Sequence, residues 1–311
     1  MRVTAAIEIE NLEYRYGERA AVAGLNLTVQ AGSIVGLLGP NGGGKSTTLA
    51  ILATLRRPYA GRAVVAGHDV LSAPRAVRRS IGVVFQSPAL DRKLTVRENL
   101  LHHGHLYGLW GSELRDRVRT TLQQVGLVDR ADELVETLSG GLQRRAEIAK
   151  VLLHEPRVLL LDEPTTGLDP AARAALWEQL RRLRAERGCS VLMATHLFED
   201  AEQCDRVAII DQGRLVGAGT PAELKAQIGG EVLTLDCDHP NEVAAELRRE
   251  VEGGEVTVGR GCVRIAHPQA HRLVPSLAER LGSRVRSLRL GQPTLADVFF
   301  RLTGHEFDNG A

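Results

Sequence analysis

The stretch GPNGGGKST, residues 39–47, decides the fold of this chain. It follows the apolar run SIVGLLG, which predicts a buried strand, and it leads into KSTTLAILATL, which predicts a helix. The letters satisfy GxxxxGK[ST] in the strand–loop–helix context that this pattern requires. Glycines let backbone N–H groups point at phosphate oxygens, and the helix N-terminus adds about half a positive charge. We therefore predict a phosphate-binding loop made of Gly39, Pro40, Asn41, Gly42, Gly43, Gly44, Lys45, Ser46 and Thr47.

A second stretch, VLLLDEP at residues 158–164, supplies the other half of a nucleotide site. Its apolar letters predict a buried strand that ends in two carboxylates. In phosphoryl-transfer sites of this kind, Lys45 reaches the β- and γ-phosphates, and Ser46 and Asp162 are predicted ligands of Mg²⁺. Glu163 is the predicted general base for the attacking water. The two stretches together predict an NTPase.

Composition and charge limit the remaining classes of protein. The 311 residues are 43% apolar and 25% charged, which is typical of globular proteins. The 39 basic and 38 acidic side chains leave a net charge of +1, so we expect no nucleic-acid partner. The four cysteines form no CxxC pair, which indicates reduced thiols. No signal sequence and no apolar run of about 20 residues is found, so we expect a cytoplasmic chain.

The order of the predicted elements gives the fold class, which is α/β. An antiparallel β part comes first, and strands then alternate with helices, which implies a mainly parallel sheet. A helical subdomain is predicted at about residues 95–152, and the pair Gly229-Gly230 marks a boundary between domains 1–228 and 231–311. The second domain has the order β-α-β-β-α-β, which is typical of a small ferredoxin-like α+β module. The cluster HHGH at 102–105 lacks acidic or cysteine partners, so a structural or contact role is preferred to metal binding.

The stretch LSGG at residues 138–141 lies just upstream of RVLLLDEPTTGLDP, and this order resembles the ATP-binding cassette (ABC) family from Ile7 to about Ile228. The resemblance implies a P-loop NTPase fold and an ATPase. It also implies that an aromatic before the loop stacks on adenine; Tyr16 fits that place, and Tyr14 is the less favoured alternative. Gln86 in VVFQ matches the glutamine that contacts Mg²⁺ and the water, and His196 in ATH matches the switch histidine at the γ-phosphate.

The same resemblance implies a second copy of the chain. In this family LSGG contacts the ATP that is bound to the opposing subunit, so Ser139, Gly140 and Gly141 are predicted to bind the partner's ATP, with Asp169 in GLD at the dimer interface. All catalytic positions are present, so a symmetric homodimer is expected. Two positions depart from the family: Leu142 stands where glutamine is usual, and Gly43 where alanine is common.

The C-terminal stretch GQPTLADVFFRLTGHEF resembles cassettes of drug-resistance exporters such as the daunorubicin type, where the ATPase and the permease are separate chains. We therefore expect an export ATPase that works with separate transmembrane permease subunits on the inner face of the cell membrane. Two alternatives stay open: a soluble ABC ATPase in translation or DNA repair, and the ATPase of an importer. The transported substrate leaves no signal in this chain.

Overall fold

The computed structural model describes residues 5–87 and 89–307 of the chain. Their packing divides into two compact units, and the chain passes from the first to the second between Leu215 and Val216. The strands of the first unit are β1 (Ala5–Tyr16), β2 (Arg19–Gln30), β3 (Ile34–Leu38), β4 (Ala60–Val65), β5 (His68–Asp69), β6 (Ile81–Val84), β7 (Val158–Asp162), β8 (Ser190–Thr195) and β9 (Arg206–Asp211). Its helices are α1 (Lys45–Leu52), α2 (Pro74–Ser80), α3 (Val96–Leu106), α4 (Gly111–Val125), α5 (Gly140–Leu152), α6 (Pro170–Arg187) and α7 (Phe198–Ala201).

Two sheets form the framework of this unit. One has the strand order β2-β1-β4-β5 with antiparallel pairs, and the other has the order β9-β3-β8-β7-β6 with parallel pairs and continues into the next strand, β10 (Arg214–Gly219). Every residue of β3, β7 and β8 is buried, as expected for parallel strands that are covered on both faces. The predicted α/β fold class, with an N-terminal antiparallel β part and a mainly parallel sheet, is confirmed.

The parallel sheet determines where polar residues can meet. The carboxyl ends of β3, β7 and β8 lie side by side, because Leu38 pairs with Thr195 and Asp162 pairs with Ala194. In open parallel sheets ligands bind outside this edge. Helices α3, α4 and α5 pack against one another within the stretch where the helical subdomain is predicted. Helix α3 begins with a capping box formed by Thr95 and Glu98, which satisfies its first backbone N–H groups.

The second unit contains α8 (Pro221–Ala226), β11 (Glu231–Cys237), α9 (Pro240–Glu250), β12 (Glu255–Gly259), β13 (Cys262–His267), α10 (Val274–Leu281), β14 (Val285–Gly291) and α11 (Leu295–Thr303). Its antiparallel sheet has the order β12-β13-β11-β14, and apolar residues of α9 and α10 form a core with it. The β-α-β-β-α-β order is that of a ferredoxin-like module.

The predicted domain bounds, 1–228 and 231–311, remain a prediction, and their outermost residues 1–4 and 308–311 lie outside the described residues. The packing boundary falls earlier than Gly229-Gly230, because α8 packs against α11 of the second unit. No helix in residues 5–87 and 89–307 has both the length and the apolar character that crossing a bilayer requires.

Candidate functional site

The loop between β3 and α1 is held so tightly that two of its positions require glycine. A Cβ on Gly39 would lie 2.3 Å from the carbonyl oxygen of Ile210. Gly44 has φ +101°, and a Cβ there would lie 2.3 Å from the carbonyl oxygen of Ala21. Positive φ is strained for residues other than glycine. The loop Gly39–Thr47, which we call the phosphate corner, is therefore shaped by its own chain.

Lys45 is the first residue of α1 and is 4% exposed. Its Nζ donates hydrogen bonds to the carbonyl oxygens of Gly39 (2.8 Å) and Pro40 (3.0 Å) and lies 3.8 Å from Oε1 of Glu163. Burial lowers the pKa of Lys45, and the nearby carboxylates of Glu163 and Asp162 oppose that shift. The ammonium group thus lies beside the loop at the edge of the sheet, where phosphate oxygens would supply further charge compensation.

The predicted Mg²⁺ ligands Ser46 and Asp162 lie together although 116 residues separate them in sequence. Ser46 Oγ donates a hydrogen bond of 3.1 Å to Asp162 Oδ1. Asp162 is 3% exposed, and burial raises its pKa; the Ser46 hydrogen bond and Lys45 act in the opposite direction. A hydroxyl, a carboxylate and the amide of Gln86 are oxygen donors of the kind that Mg²⁺ prefers. The donor set therefore fits the metal.

Glu163 and His196 meet where β7 and β8 end. Oε1 of Glu163 lies 2.9 Å from Nδ1 of His196, although the two atoms are not aligned as a hydrogen bond. The backbone N–H of Glu163 donates to the carbonyl oxygen of Ala194 (2.9 Å). Glu163 has φ +48°, a left-handed conformation that costs about 1–3 kcal/mol for a residue other than glycine and that persists only when the surrounding structure enforces it.

A cavity of about 700 Å³ opens over these groups. Ten of its lining residues are predicted site residues: Tyr16, Asn41, Gly42, Gly44, Lys45, Ser46, Thr47, Gln86, Glu163 and His196. Three more, Arg19, Ala21 and Thr166, were not predicted. The predicted residues Gly39, Pro40, Gly43 and Asp162 are outside the lining but belong to the loop or contact it.

Tyr16 is 46% exposed and lines the cavity, whereas Tyr14 packs against the apolar core of the unit. The two rings meet edge to face with their centroids 5.0 Å apart, and the guanidinium of Arg56 lies 5.1 Å from the Tyr16 ring centroid. This placement favours Tyr16 over Tyr14 as the aromatic residue that meets a base.

The residues Ser139–Gly141, which we call the signature corner, are not among the described residues that line this cavity. They begin α5: Ser139 is its N-cap, with Oγ accepting the N–H of Leu142 at 3.4 Å, and both Ser139 and Gly140 are exposed. A Cβ on Gly140 would meet nothing within 4 Å. Asp169, the N-cap of α6, likewise lies outside the cavity lining.

Comparison with known proteins decides the family. The ABC transporter family model matches residues 22–166. The daunorubicin/doxorubicin resistance ATP-binding protein DrrA of Streptomyces peucetius is 43% identical, over 98% of this chain and 94% of that protein. The Nod factor export ATP-binding protein I of Burkholderia lata is 41% identical, over 98% of this chain and 99% of that one. This chain belongs to the ABC transporter ATP-binding family.

Solved structures agree with this assignment. CbiO1 of Clostridium perfringens, part of the ABC transporter complex cbiONQ, matches with a TM-score of 0.67 and 30% identity over 79% of this chain and 96% of its own. A cassette solved as a dimer in a post-hydrolysis state with ADP and Pi matches with a TM-score of 0.62 and 30% identity over 69% and 98%. The chain is therefore a nucleotide-binding ATPase and the ATP-binding subunit of a transporter.

In this ABC subunit a tie connects the signature helix to the Gln86 loop. Arg144 of α5 donates to the carbonyl oxygen of Phe85 (3.0 Å) and to Oε2 of Glu147 (2.8 Å). Glu147, which is 4% exposed, accepts the backbone N–H of Ala89 at 2.7 Å. These contacts, which we call the Arg144–Glu147 tie, hold the loop on both sides of Gln86. Buried ion pairs are stabilised by such additional hydrogen bonds.

The sequence contained partial signals for the residues that were missed. Thr166 follows Glu163 by three positions, so a turn at the strand end brings it to the same cavity. Arg19 begins β2, and its Nη2 would lie 3.1 Å from a Cβ on Gly42; only the fold of the antiparallel sheet brings it there. The ABC departure at Leu142 has no structural explanation, whereas Gln143 donates from Nε2 to the carbonyl oxygens of Val135 and Leu138.

Proposed function

We propose that two copies of this chain close around two MgATP molecules and that hydrolysis drives separate transmembrane permease subunits in export. The observation that carries the proposal is the position of the signature corner. It presents an N-terminal helix end, an exposed serine and an open glycine, yet it lies outside the cavity of its own chain. A helix N-terminus of this kind favours phosphate oxygens.

The phosphate would come from the ATP of the partner copy. Gly140 leaves room for close backbone approach, and Ser139 Oγ accepts a long, weak hydrogen bond of 3.4 Å from the N–H of Leu142 within its own helix. A similar cassette has been solved as a dimer with ADP and Pi, which supports this arrangement. Asp169, exposed at the N-cap of α6, would lie at the same interface.

Each active site would use the residues that the sheet edge brings together. Ser46, Asp162 and Gln86 would hold Mg²⁺, which when bound neutralises charge on the phosphates. Lys45 would bind the β- and γ-phosphates, and Tyr16 would stack on the adenine. Glu163 would take a proton from the attacking water.

His196 completes the proposed catalytic set. It lies 2.9 Å from Glu163 Oε1, so a water polarised by Glu163 and a γ-phosphate oxygen would both lie within its reach. Proton transfer and phosphate contacts of this kind stabilise charge that grows in the transition state.

Export is favoured over import by the relatives that match nearly the whole chain. Their names describe drug resistance and Nod factor export, and their coverage includes the second unit. We propose a subunit on the inner face of the membrane, bound to separate permeases, with no nucleic-acid partner. The second unit, residues 216–311, would act in assembly or regulation of the transporter.

Mixing two inactive variants tests whether the sites are shared between chains. Lys45→Ala damages only the phosphate corner, and Gly140→Asp places a carboxylate in the signature corner, where it would repel phosphate. Each variant alone should lack ATPase activity. A mixed dimer regains one intact site, made of the phosphate corner of one chain and the signature corner of the other, so activity should reappear on mixing.

The matched control mixes Lys45→Ala with Glu163→Gln, because both of these substitutions damage the same half of the site. A shared site predicts no recovery for this pair. If the first mixture also stays inactive although both variants are folded, or if both mixtures recover equally, sharing of sites between chains is ruled out.

A further inference from the structure

Asp200 is a fully buried carboxylate, 0% exposed, that is not among the residues lining the nucleotide cavity of the described chain. Its Oδ2 accepts hydrogen bonds from the hydroxyls of Thr165 and Thr195, the second at 3.3 Å. Its Oδ1 accepts the indole N–H of Trp177 at 3.1 Å and lies 3.8 Å from Nε of Arg173. Burial of a charge is unfavourable unless partners compensate it, and these donors do so.

The two hydroxyls belong to the two backbone segments that carry the reacting groups. Thr165 follows Glu163 by two residues and is 1% exposed. Thr195 directly precedes His196 and is also 1% exposed. A single carboxylate oxygen therefore joins the segment that follows β7 to the end of β8.

The hydrogen bonds to Asp200 affect two geometric features of the site: the backbone conformation of Glu163 and its contact with His196. Glu163 holds a left-handed φ of +48°, and its Oε1 lies 2.9 Å from Nδ1 of His196. The first strains the backbone, and the second is a close contact whose two atoms are not aligned as a hydrogen bond, so both depend on how the two segments are held. The backbone N–H of Glu163 already donates to the carbonyl oxygen of Ala194, and the hydroxyls on Asp200 restrain the same two segments through side chains.

We propose that Asp200 is a positioning residue: it holds the Glu163 and His196 segments at the separation that ATP hydrolysis requires. This inference rests on the proposed roles of Glu163 and His196. Asp200 has no contact with the phosphate corner, so its loss should misplace the reacting groups without removing a nucleotide-binding contact. A displacement of about 1 Å in such groups lowers turnover by roughly 100-fold.

The test is Asp200→Asn in the full chain, with ATPase kinetics, binding of a fluorescent ATP analogue and thermal unfolding measured together. Asparagine keeps the shape but turns an N–H₂ group toward the donors. We expect kcat to fall by roughly 10- to 100-fold, while KM and nucleotide affinity stay unchanged. Asp205→Asn is the matched control: Asp205 accepts the N–H of Ile34 at 2.7 Å, outside the two segments, and kcat should be unchanged.

A double variant separates positioning from general stabilisation. If Asp200 acts through the histidine segment, Asp200→Asn should slow the residual turnover of His196→Ala far less than it slows the normal enzyme, because residues that act as a unit are not additive. An equal fold-decrease in both backgrounds, or an unchanged kcat in the single variant, overturns the proposal.

Two further sets of variants distinguish the possible outcomes. If Asp200→Asn does not fold, Thr165→Val removes one of the joining hydroxyls with little change in volume, and the same kinetic pattern is expected. If the proposed roles of Glu163 and His196 are wrong, the outcome differs: Glu163→Gln and His196→Ala would then retain turnover. Loss of turnover in those two variants with normal kcat in both Asp200→Asn and Thr165→Val rejects the positioning role alone.

Discussion

The two glycine-containing corners of this molecule differ in what surrounds them. In the phosphate corner, a Cβ on Gly44 would lie 2.3 Å from the backbone of the same chain, and Lys45 is buried. In the signature corner, Ser139 and Gly140 are exposed, and, apart from its chain neighbours and the backbone of its own helix, no atom of the described residues would lie within 4 Å of a Cβ on Gly140. The first glycine is required by the fold of its own chain, and the second is not.

This difference separates two reasons for which a sequence keeps a glycine. Gly44 has a positive φ that other residues adopt only with strain. Gly140 is the first residue of a helix, where alanine is a better helix former. We therefore attribute the use of Gly140 to a group that approaches the corner from outside, which in the proposed dimer is a phosphate of the partner's ATP.

The largest expected effect comes from Glu163→Gln, which disables chemistry while both corners remain. Turnover should fall by about 10²- to 10⁴-fold, because general base catalysis is lost. MgATP should still bind and hold the two copies together, so gel filtration with MgATP should show a stable dimer. Near-normal turnover of this variant would contradict the assigned base, and the same chain without nucleotide is the control.

Gly44→Ala should act as a folding defect. The positive φ and the contact with the carbonyl oxygen of Ala21 together should lower the free energy of unfolding by about 2 kcal/mol or more. Urea unfolding measures this change. Unchanged stability would show that the phosphate corner is less constrained than its geometry indicates.

Gly140→Ala makes the same chemical change in the other corner and should have the opposite effect on stability. The free energy of unfolding should stay the same or rise by up to about 1 kcal/mol. ATP-dependent dimerisation should weaken, since the added methyl group keeps the backbone away from the phosphate. Sedimentation with MgATP in the Glu163→Gln background measures this, and an unaltered dimer there would contradict the role of the corner.

A further effect concerns acid pH and helix α3, which packs against the helix of the signature corner. Burial lowers the pKa of His103 on α3 to about 4, with smaller contributions from Lys150 and His154. The unfolded chain therefore binds a proton between about pH 6.5 and 4 that the folded chain excludes, so stability falls as pH falls through this window, by at most about 1.4 kcal/mol per unit.

Thermal unfolding between pH 7 and 4.5 measures that dependence. His103→Leu should flatten it, while replacement of the exposed neighbour His102 by leucine serves as the control and should leave it in place. An unchanged slope in His103→Leu would assign the acid sensitivity to other groups. Amide exchange should show faster opening of α5 than of α1 at low pH.

The sequence predicted the phosphate corner and its acidic partners because both follow from local patterns. A buried strand, a glycine loop and a helix specify the loop, and parallel pairing then brings Asp162 beside Ser46. The same reasoning could not place Arg19, because its position depends on how the antiparallel sheet folds over the loop.

Sequence patterns were also insufficient for features that depend on which elements pack together. The packing of the described residues divides near Val216, whereas the predicted boundary at Gly229-Gly230 remains a prediction; a pair of glycines shows where a chain can turn but not which helices pack together. Asp200 could not be recognised from sequence, since its partners Thr165, Trp177 and Thr195 come from three separate elements. Leu142 remains a departure from the family that the structure does not explain.

The Arg144–Glu147 tie has a consequence for how two such chains would behave together. It fixes the backbone on both sides of Gln86 to the helix that begins at the signature corner. In the proposed dimer, Gln86 contacts the nucleotide that is bound to its own chain, and the signature corner contacts the nucleotide that is bound to the other chain. A shift of the Gln86 loop would then move the helix whose N-terminus contacts the opposite nucleotide, so the two nucleotides would be bound and released as a coupled pair.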